Sequence, residues 1–192
     1  MAAVVYNPQG MVYGNPALIQ GAPIAYAIAQ WALNQGVRIA DAYAVGGQFE
    51  IWAQVEIAIL IRQFCAFYNL PLDTVKREHP VFTEPALHAD FAMLQPAHLT
   101  HVVEFKIEGS GANAVDKFVN AVNQDINRVI EKRFIPALLG PPARPVVCVG
   151  VSLTPACDQK MAQTFAMQGD RPTRVQVPAS TICLWIYARQ CQ

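Results

Sequence analysis

Two carboxylates stand out in the stretch of residues 88–108, HADFAMLQPAHLTHVVEFKIE. Two short apolar runs, residues 89–94 and 101–107, flank a Gln-Pro-Ala-His-Leu connection that is typical of a hairpin loop. Each run carries one acidic residue where a core strand normally has an apolar side chain, Asp90 in the first run and Glu104 in the second. The stretch therefore predicts a strand pair that brings acidic chemistry into the protein interior.

The chemistry depends on the register of this hairpin. If the hairpin is centred on Ala97, Asp90 lies directly opposite Glu104, and opposed residues have Cβ atoms about 5 Å apart on one face. Lys106 shares that face because side chains alternate along a strand. Adjacent carboxylates repel each other unless a cation lies between them, so the pattern favours a divalent metal with Lys106 beside it. A slip of one residue would turn one carboxylate away and remove the site.

A third carboxylate belongs to the strongest predicted helix, residues 48–68. A helical projection places Glu56 on the side of the large apolar residues, whereas Glu50 and Gln54 lie on the polar side. An unpaired carboxylate in a core is unfavourable, so Glu56 pairs with a cation, binds a metal or is protonated. The alternative is that Glu56 lies at the edge of the apolar face and reaches solvent.

The remaining pattern predicts the elements that position these residues. Turn residues and apolar periodicity predict helices at residues 24–34, 48–68, 113–134 and 155–167, and strands at 75–82, 89–94, 101–107, 145–153 and 181–188. This order predicts an α/β fold with a central mixed sheet and helices on both faces. We expect a single domain over residues 1–192, with an N-terminal arm and helix at 1–47 and a core at 48–192.

Composition narrows the functional classes. Of the 192 residues, 53% are apolar and only 15% are charged, against about 25% charged in an average protein. The formal net charge is zero, so no general electrostatic attraction to nucleic acid or membranes is expected, and nucleic-acid binding would need a local patch. The five scattered cysteines and the lack of a visible signal peptide predict a cytoplasmic protein with reduced thiols. The longest apolar run is too short to span a bilayer.

Taken together, these residues resemble the PD-(D/E)xK nuclease superfamily. The similarity covers residues 48–152, where a helix with Glu56, the strand VKREHPVF, Asp90, the run Glu104-Phe105-Lys106 and a long helix follow one another. Ala89 replaces the proline of the motif. The superfamily includes many restriction enzymes, Holliday-junction resolvases and RecB-type nuclease domains. The resemblance implies a restriction-endonuclease-like core with the element order αβββαβ.

The same resemblance implies a chemistry and a set of ligands. Asp90 and Glu104 would be the main ligands of Mg²⁺ or Mn²⁺, joined by the backbone carbonyl of Phe105 and, directly or through water, by Glu56. Lys106 would orient or help to deprotonate the attacking water and stabilise the transition state. The implied function is a metal-dependent endonuclease that hydrolyses phosphodiester bonds in DNA, and a homodimer is expected because duplex cleavage requires two sites.

Other interpretations of the same residues remain open. A Glu-x-Lys strand also arises by chance on solvent-facing sheets, and a catalytically silent member of this fold would act as a binding or assembly module. An RNA-directed nuclease with the same site is a further alternative. Lys117, Gln124 and Arg128 form one stripe of the long helix that could contact a phosphate backbone, although such a stripe is also typical of a solvated face. Arg128 stands where RecB-like members have a tyrosine.

Overall fold

The computed structural model describes residues 23–46, 49–67, 74–95, 98–139, 144–166, 172–177 and 180–191. The first 22 residues of the N-terminal arm and helix predicted at 1–47 lie outside these ranges. The elements follow in the order α1 (Pro23–Asn34), α2 (Gly36–Val45), α3 (Phe49–Phe67), β1 (Thr74–His79), β2 (Ala89–Gln95), β3 (His98–Ile107), α4 (Ala114–Glu131), a 3-10 turn (Pro136–Leu138), β4 (Arg144–Ser152), α5 (Pro155–Phe165), β5 (Thr173–Gln176) and β6 (Cys183–Cys191). The sequence pattern did not resolve α2 and did not predict the short strand β5.

The described strands form one six-stranded mixed sheet in the order β1-β2-β3-β4-β6-β5. Strands β3 and β4 are parallel, and the other neighbouring pairs are antiparallel. A parallel pair needs a crossover connection, and helix α4 lies in the connection between β3 and β4. This crossover brings α4 against the sheet beside the two strands that carry Asp90 and Glu104.

The two faces of the sheet pack into two separate apolar cores. One face packs against α1, α2 and α3 through strand residues that include Phe91, Val103 and Phe105. The other face packs against α4 and α5 through residues that include Ala92 and Val102. The alternation along β2 and β3 is the period of two that strands require. An α/β fold with a mixed sheet between helices is therefore confirmed, and the restriction-endonuclease-like core stays a prediction.

The β2–β3 hairpin has the predicted register next to the acidic residues. Phe91 pairs with Val103, and the same antiparallel pairing sets Asp90 opposite Glu104. Nearer the turn, a β-bulge after Met93 shifts the register by one residue. Because the bulge confines this slip to the loop end of the hairpin, both carboxylates keep the same face.

Helix α4 approaches the sheet closely at a glycine. A Cβ atom added to Gly150 on β4 would lie 2.9 Å from Val122 Cγ2 and 3.1 Å from Phe118 Cζ. A separation below about 3 Å is well inside normal carbon contact distances, so the missing side chain is what permits this packing. The close approach places the inner face of α4 directly over the β3–β4 pair.

A buried carboxylate anchors the start of α5. Glu108, the residue after β3, accepts hydrogen bonds from the backbone N–H groups of Leu153 and Thr154 at 2.6 and 2.9 Å. Its second oxygen accepts the Thr154 hydroxyl at 2.7 Å. Thr154 is the N-cap of α5, and its hydroxyl also accepts the N–H of Cys157. This arrangement joins β3 to α5.

Among the described helices, none has both the length and the apolarity needed to cross a membrane.

Candidate metal centre

Three carboxylates from three elements converge between the sheet and α4. Asp90 on β2, Glu104 on β3 and Asp125 on α4 each contribute one oxygen, and these oxygens lie within 4.8 Å of one another. The exposed fractions of the three residues are 7%, 1% and 3%. The structure thus brings together the two strand carboxylates that the sequence predicted and adds a helix carboxylate that it did not.

Asp90 is held firmly by three donors. Its Oδ2 accepts the backbone N–H of Phe105 at 2.7 Å and the Lys106 ammonium at 3.2 Å. Its Oδ1 accepts the Gln54 amide at 3.3 Å, and Arg77 in turn donates to the Gln54 carbonyl at 2.8 Å. These contacts come from β3, α3 and β1, so the sheet and one helix together fix the orientation of this carboxylate.

Glu104 has the opposite surroundings. Among the described residues neither of its carboxylate oxygens has a hydrogen-bond partner, and the same holds for Asp125 Oδ2. Burial, and then the charges of Asp90 and Asp125, raise the pKa of Glu104 well above its usual value, against the opposing charges of Arg128 and Lys106. Burial also raises the pKa of Asp125. Buried carboxylates normally accept hydrogen bonds, so Glu104 has a hydrogen-bonding capacity that no described residue meets, whereas Asp125 Oδ2 has an ion-pair contact with Lys106.

Lys106 supplies one cation at the edge of the group. Its ammonium lies 3.2 Å from Asp90 Oδ2, 3.5 Å from Asp125 Oδ2 and 3.4 Å from Glu50 Oε1. Burial lowers the pKa of Lys106, but the negative charges of Asp90, Asp125 and Glu50 outweigh it, and the pKa is raised. Lys106 is therefore protonated at neutral pH. The ammonium also donates to the carbonyl of Phe105 at 3.3 Å, the backbone oxygen predicted as a metal ligand.

Arg128 supplies a second cation from α4. Its guanidinium Nη1 lies 3.3 Å from Asp125 Oδ1 and 3.8 Å from Glu104 Oε1. The side chain is 28% exposed, so it reaches the carboxylates from the solvent side. Both contacts are single and longer than a bidentate arginine–carboxylate pair. Arg128, predicted as a phosphate-binding residue of an outer stripe, thus lies against the carboxylate group itself.

The structure does not bring Glu56 to this group. Glu56 forms an ion pair with Arg38 at 3.5 Å and is 26% exposed, and Arg38 also stacks over the ring of Trp52. The residues of α3 that do reach the site are Gln54 and Glu50, which the helical projection assigned to the polar side. Glu56 thus pairs with a cation, one of the outcomes that the sequence left open, and does not join the carboxylate group. The projection was wrong to assign Gln54 to the polar side, because Gln54 is 5% exposed.

Lys117 and Gln124 lie on the exposed side of α4. Lys117 lines an open cleft of about 410 Å³ that begins at Lys106 and Glu50 and runs along the first turns of α4, past Ser110. Gln124 is exposed and is not among the residues that line this cleft. The cleft gives Lys106 access to solvent, and Lys106 is the lining residue that contacts Asp90 and Asp125.

Asp125 could have been recognised from the sequence. It follows Val122 by three residues and precedes Val129 by four, which places it on the apolar stripe of the long helix. The helical spacing of the apolar residues predicts this stripe, and five of its members are buried: Phe118, Val119, Val122, Ile126 and Val129. Two further residues at the same spacing are not buried, since Val115 is half-buried and Ile130 is 39% exposed. A carboxylate in the middle of a buried stripe is the signal that was applied to Glu56 and not to Asp125.

The donors of this group are suited to a hard divalent cation. Carboxylate oxygens are the ligands that Mg²⁺, Mn²⁺ and Ca²⁺ prefer, and Glu104 presents two oxygens without donors among the described residues.

Comparison with known proteins assigns this chain to no family. No family model, curated protein or solved structure matches this chain. The functional interpretation therefore depends on the residues and geometry of the site.

Proposed function

We propose that this protein is a metal-dependent phosphodiesterase that hydrolyses DNA, with endonucleolytic cleavage and a site of the PD-(D/E)xK type. The observation that carries the proposal is the Glu104 carboxylate, which is 1% exposed and has no hydrogen-bond donor for either oxygen among the described residues. It lies beside two further carboxylates, Asp90 and Asp125, and both of these contact the ammonium of Lys106. A purely structural carboxylate at this depth would have donors, as Glu108 has.

Asp90, Glu104 and Asp125 would hold the metal ion. When bound, a divalent ion of this kind lowers the pKa of a coordinated water and neutralises charge at the scissile phosphate. The hydrogen bonds from Phe105, Gln54 and Lys106 orient Asp90 before any ligand arrives, and preorganised ligands avoid a cost of reorganisation. The Phe105 carbonyl, already in contact with the Lys106 ammonium, is the fourth candidate ligand.

Lys106 acts as a cation in this proposal. Its raised pKa keeps it protonated at neutral pH, so it donates hydrogen bonds to the attacking water or to a phosphate oxygen. A protonated ammonium stabilises the negative charge that develops on the phosphoryl oxygens in the transition state. The other role that the resemblance implies for Lys106, help in deprotonating the attacking water, stays a prediction.

The open cleft beside Lys106 is the route by which a nucleic-acid strand would approach. Lys106 and Lys117 lie along it, and cations that track a phosphate backbone give sequence-independent binding. Glu50 also lines the cleft and pairs with Lys106, so its charge offsets part of the positive charge there. The resemblance to PD-(D/E)xK nucleases leads us to propose DNA rather than RNA as the substrate. A direct comparison of the two substrates decides between them.

The decisive experiment is cleavage of single-stranded, duplex and branched DNA and of RNA in the presence of Mg²⁺ or Mn²⁺. We expect wild-type protein to cleave DNA and Lys106→Met to lose at least about 100-fold in rate. Lys160→Met, an exposed lysine on α5, is the matched control and should cleave like the wild type. The absence of metal-dependent cleavage of every substrate, together with the absence of metal binding in calorimetry, would refute the proposal. Equal activity of Lys106→Met would indicate a wrong site or a contaminant.

A second candidate function follows from the ion pairs within the site. Lys106 and Arg128 already contact Asp90, Asp125 and Glu104, and such a self-neutralised network also fits a silent member that serves as a binding or assembly module. A silent member would bind nucleic acid or protein without cleaving it and without requiring a divalent ion.

The homodimer predicted for a nuclease that cleaves duplex DNA is tested by light scattering of the purified protein.

A further inference from the structure

The two cations of the metal centre are held in different ways. Lys106 donates hydrogen bonds to Asp90 at 3.2 Å and to the Phe105 carbonyl at 3.3 Å. Arg128 contacts Glu104 at 3.8 Å, yet neither Glu104 oxygen has a hydrogen-bond donor among the described residues. Arg128 therefore offsets the charge of Glu104 without satisfying its hydrogen-bonding capacity.

A divalent ion changes the electrostatics of this site. Four carboxylates surround the cations Lys106 and Arg128, namely Asp90, Glu104, Asp125 and Glu50, so carboxylates outnumber cations before an ion binds. A bound divalent ion adds two positive charges beside them. A phosphodiester carries one negative charge, so the ion-loaded site attracts it more strongly than the ion-free site does.

We propose that Arg128 is a resident counter-cation that the divalent ion displaces from Glu104 and that then binds a phosphate oxygen of the substrate. This inference rests on the proposed function and adds a regulatory property to it: substrate binding becomes conditional on metal loading. The partly exposed side chain can leave the carboxylates by rotating into solvent, whereas Lys106 would have to break two hydrogen bonds. A guanidinium is also the cation whose planar donors match a phosphate.

Metal affinity tests the first half of the proposal. We expect Arg128→Gln to bind Mn²⁺ about fivefold more tightly than wild type in calorimetric titrations, because a partly exposed ion pair no longer competes with the metal. Lys160→Gln, at an exposed lysine on α5 that lies outside the site, should leave the dissociation constant unchanged. Arg128→Met provides a second neutral variant if Arg128→Gln fails to fold, and the same shift is expected for it.

Substrate affinity tests the second half. Fluorescence anisotropy of a labelled single-stranded oligonucleotide, with Ca²⁺ in place of Mg²⁺, should show binding by Arg128→Gln at least about fivefold weaker than by wild type. Without a divalent ion the two proteins should bind equally weakly. An arginine that merely stabilised the fold would not tighten metal binding and weaken substrate binding in the same variant.

The outcomes separate this inference from the proposed function. If wild-type protein binds no Mn²⁺, the proposed function fails and the inference fails with it. If wild type binds Mn²⁺ and Arg128→Gln binds it equally or more weakly, only the inference is overturned. Equal loss of oligonucleotide affinity with and without Ca²⁺ would also overturn it, because Arg128 would then contact the backbone irrespective of metal.

Discussion

Glu104 and Glu108 lie four residues apart along the same stretch of chain, and each is 1% exposed. Glu108 accepts three hydrogen bonds, two from backbone N–H groups and one from the Thr154 hydroxyl. Glu104 accepts none from the described residues and lies beside two further carboxylates. Two equally buried glutamates thus differ in their hydrogen bonds: the Glu108 carboxylate accepts three, whereas the Glu104 carboxylate accepts none from the described residues.

This is the difference expected between a structural carboxylate and a metal ligand. A buried carboxylate whose oxygens are occupied by donors fixes the local structure, as Glu108 does for the start of α5. A buried carboxylate without donors is unfavourable in the isolated protein and becomes favourable when a cation binds. The neighbouring pair therefore provides an internal control: identical Glu→Gln substitutions should have opposite consequences at the two positions.

The largest expected effect is on metal binding. Glu104→Gln should weaken Mn²⁺ binding at least about 100-fold, because even loss of an outer-shell partner weakens metal sites by about 10- to 100-fold. Glu108→Gln should bind Mn²⁺ like the wild type once the dissociation constant is corrected for the folded fraction, which circular dichroism measures. Calorimetric titration of both variants checks this, and similar losses in the two would remove the distinction between them.

The second effect is a loss of stability at Glu108. Glu108→Gln should lower the free energy of unfolding by about 2 kcal/mol, because an amide nitrogen cannot accept the hydrogen bonds that one carboxylate oxygen accepts and leaves buried donors unpaired. Urea denaturation of metal-free protein measures the change. A stability equal to that of the wild type would mean that the bonds to Leu153 and Thr154 contribute little.

The third effect has the opposite sign. Glu104→Gln should raise the free energy of unfolding of metal-free protein by about 1 kcal/mol, since removal of an unsatisfied charge at a functional site commonly stabilises a fold. Addition of Mg²⁺ should stabilise the wild type and not the variant. A destabilised Glu104→Gln protein would show that the carboxylate has donors in solution and would weaken the case for a ligand role.

The smallest effect is a dependence on pH. The pKa of Glu104 is raised in the folded protein, so the folded state holds this proton more tightly than the unfolded state. Stability due to this group is therefore greatest at low pH and falls as the pH rises above about 4.5, the region where an unfolded glutamate ionises. In metal-free thermal melts, the wild type should lose stability relative to Glu104→Gln between mildly acidic and neutral pH. A constant difference across that range would contradict the raised pKa.

The strand part of the site followed from the sequence because its constraints are local. The apolar alternation and the short connection fix the register of a hairpin, and Phe91 pairs with Val103 accordingly. The bulge after Met93 left no comparable signal, since it lies at the loop end where no buried charge marks the faces. The helix α4 was equally predictable because its apolar and polar sides are sharply divided.

The helix part of the site was harder because α3 is apolar over most of its surface. Ile51, Val55 and Ile59 are each exposed by 39% or more, so apolar residues do not mark the buried face of this helix. The projection consequently favoured Glu56, while tertiary packing turned Gln54 towards Asp90. Contacts between elements that are distant in sequence, such as that between Arg128 and Glu104, depend on helix placement that no local pattern encodes.

The close approach of α4 at Gly150 bears on the proposed metal site. A Cβ atom at this position would lie 2.9 Å from the Val122 side chain and 3.1 Å from that of Phe118, so a larger residue would push α4 outward or force these side chains to repack. Asp125 lies on the same helix, whereas Asp90 and Glu104 lie on the sheet. In the proposed site, the gap that Gly150 permits would therefore set the size of the cation that the three carboxylates share, because Mg²⁺ demands shorter ligand distances than Ca²⁺.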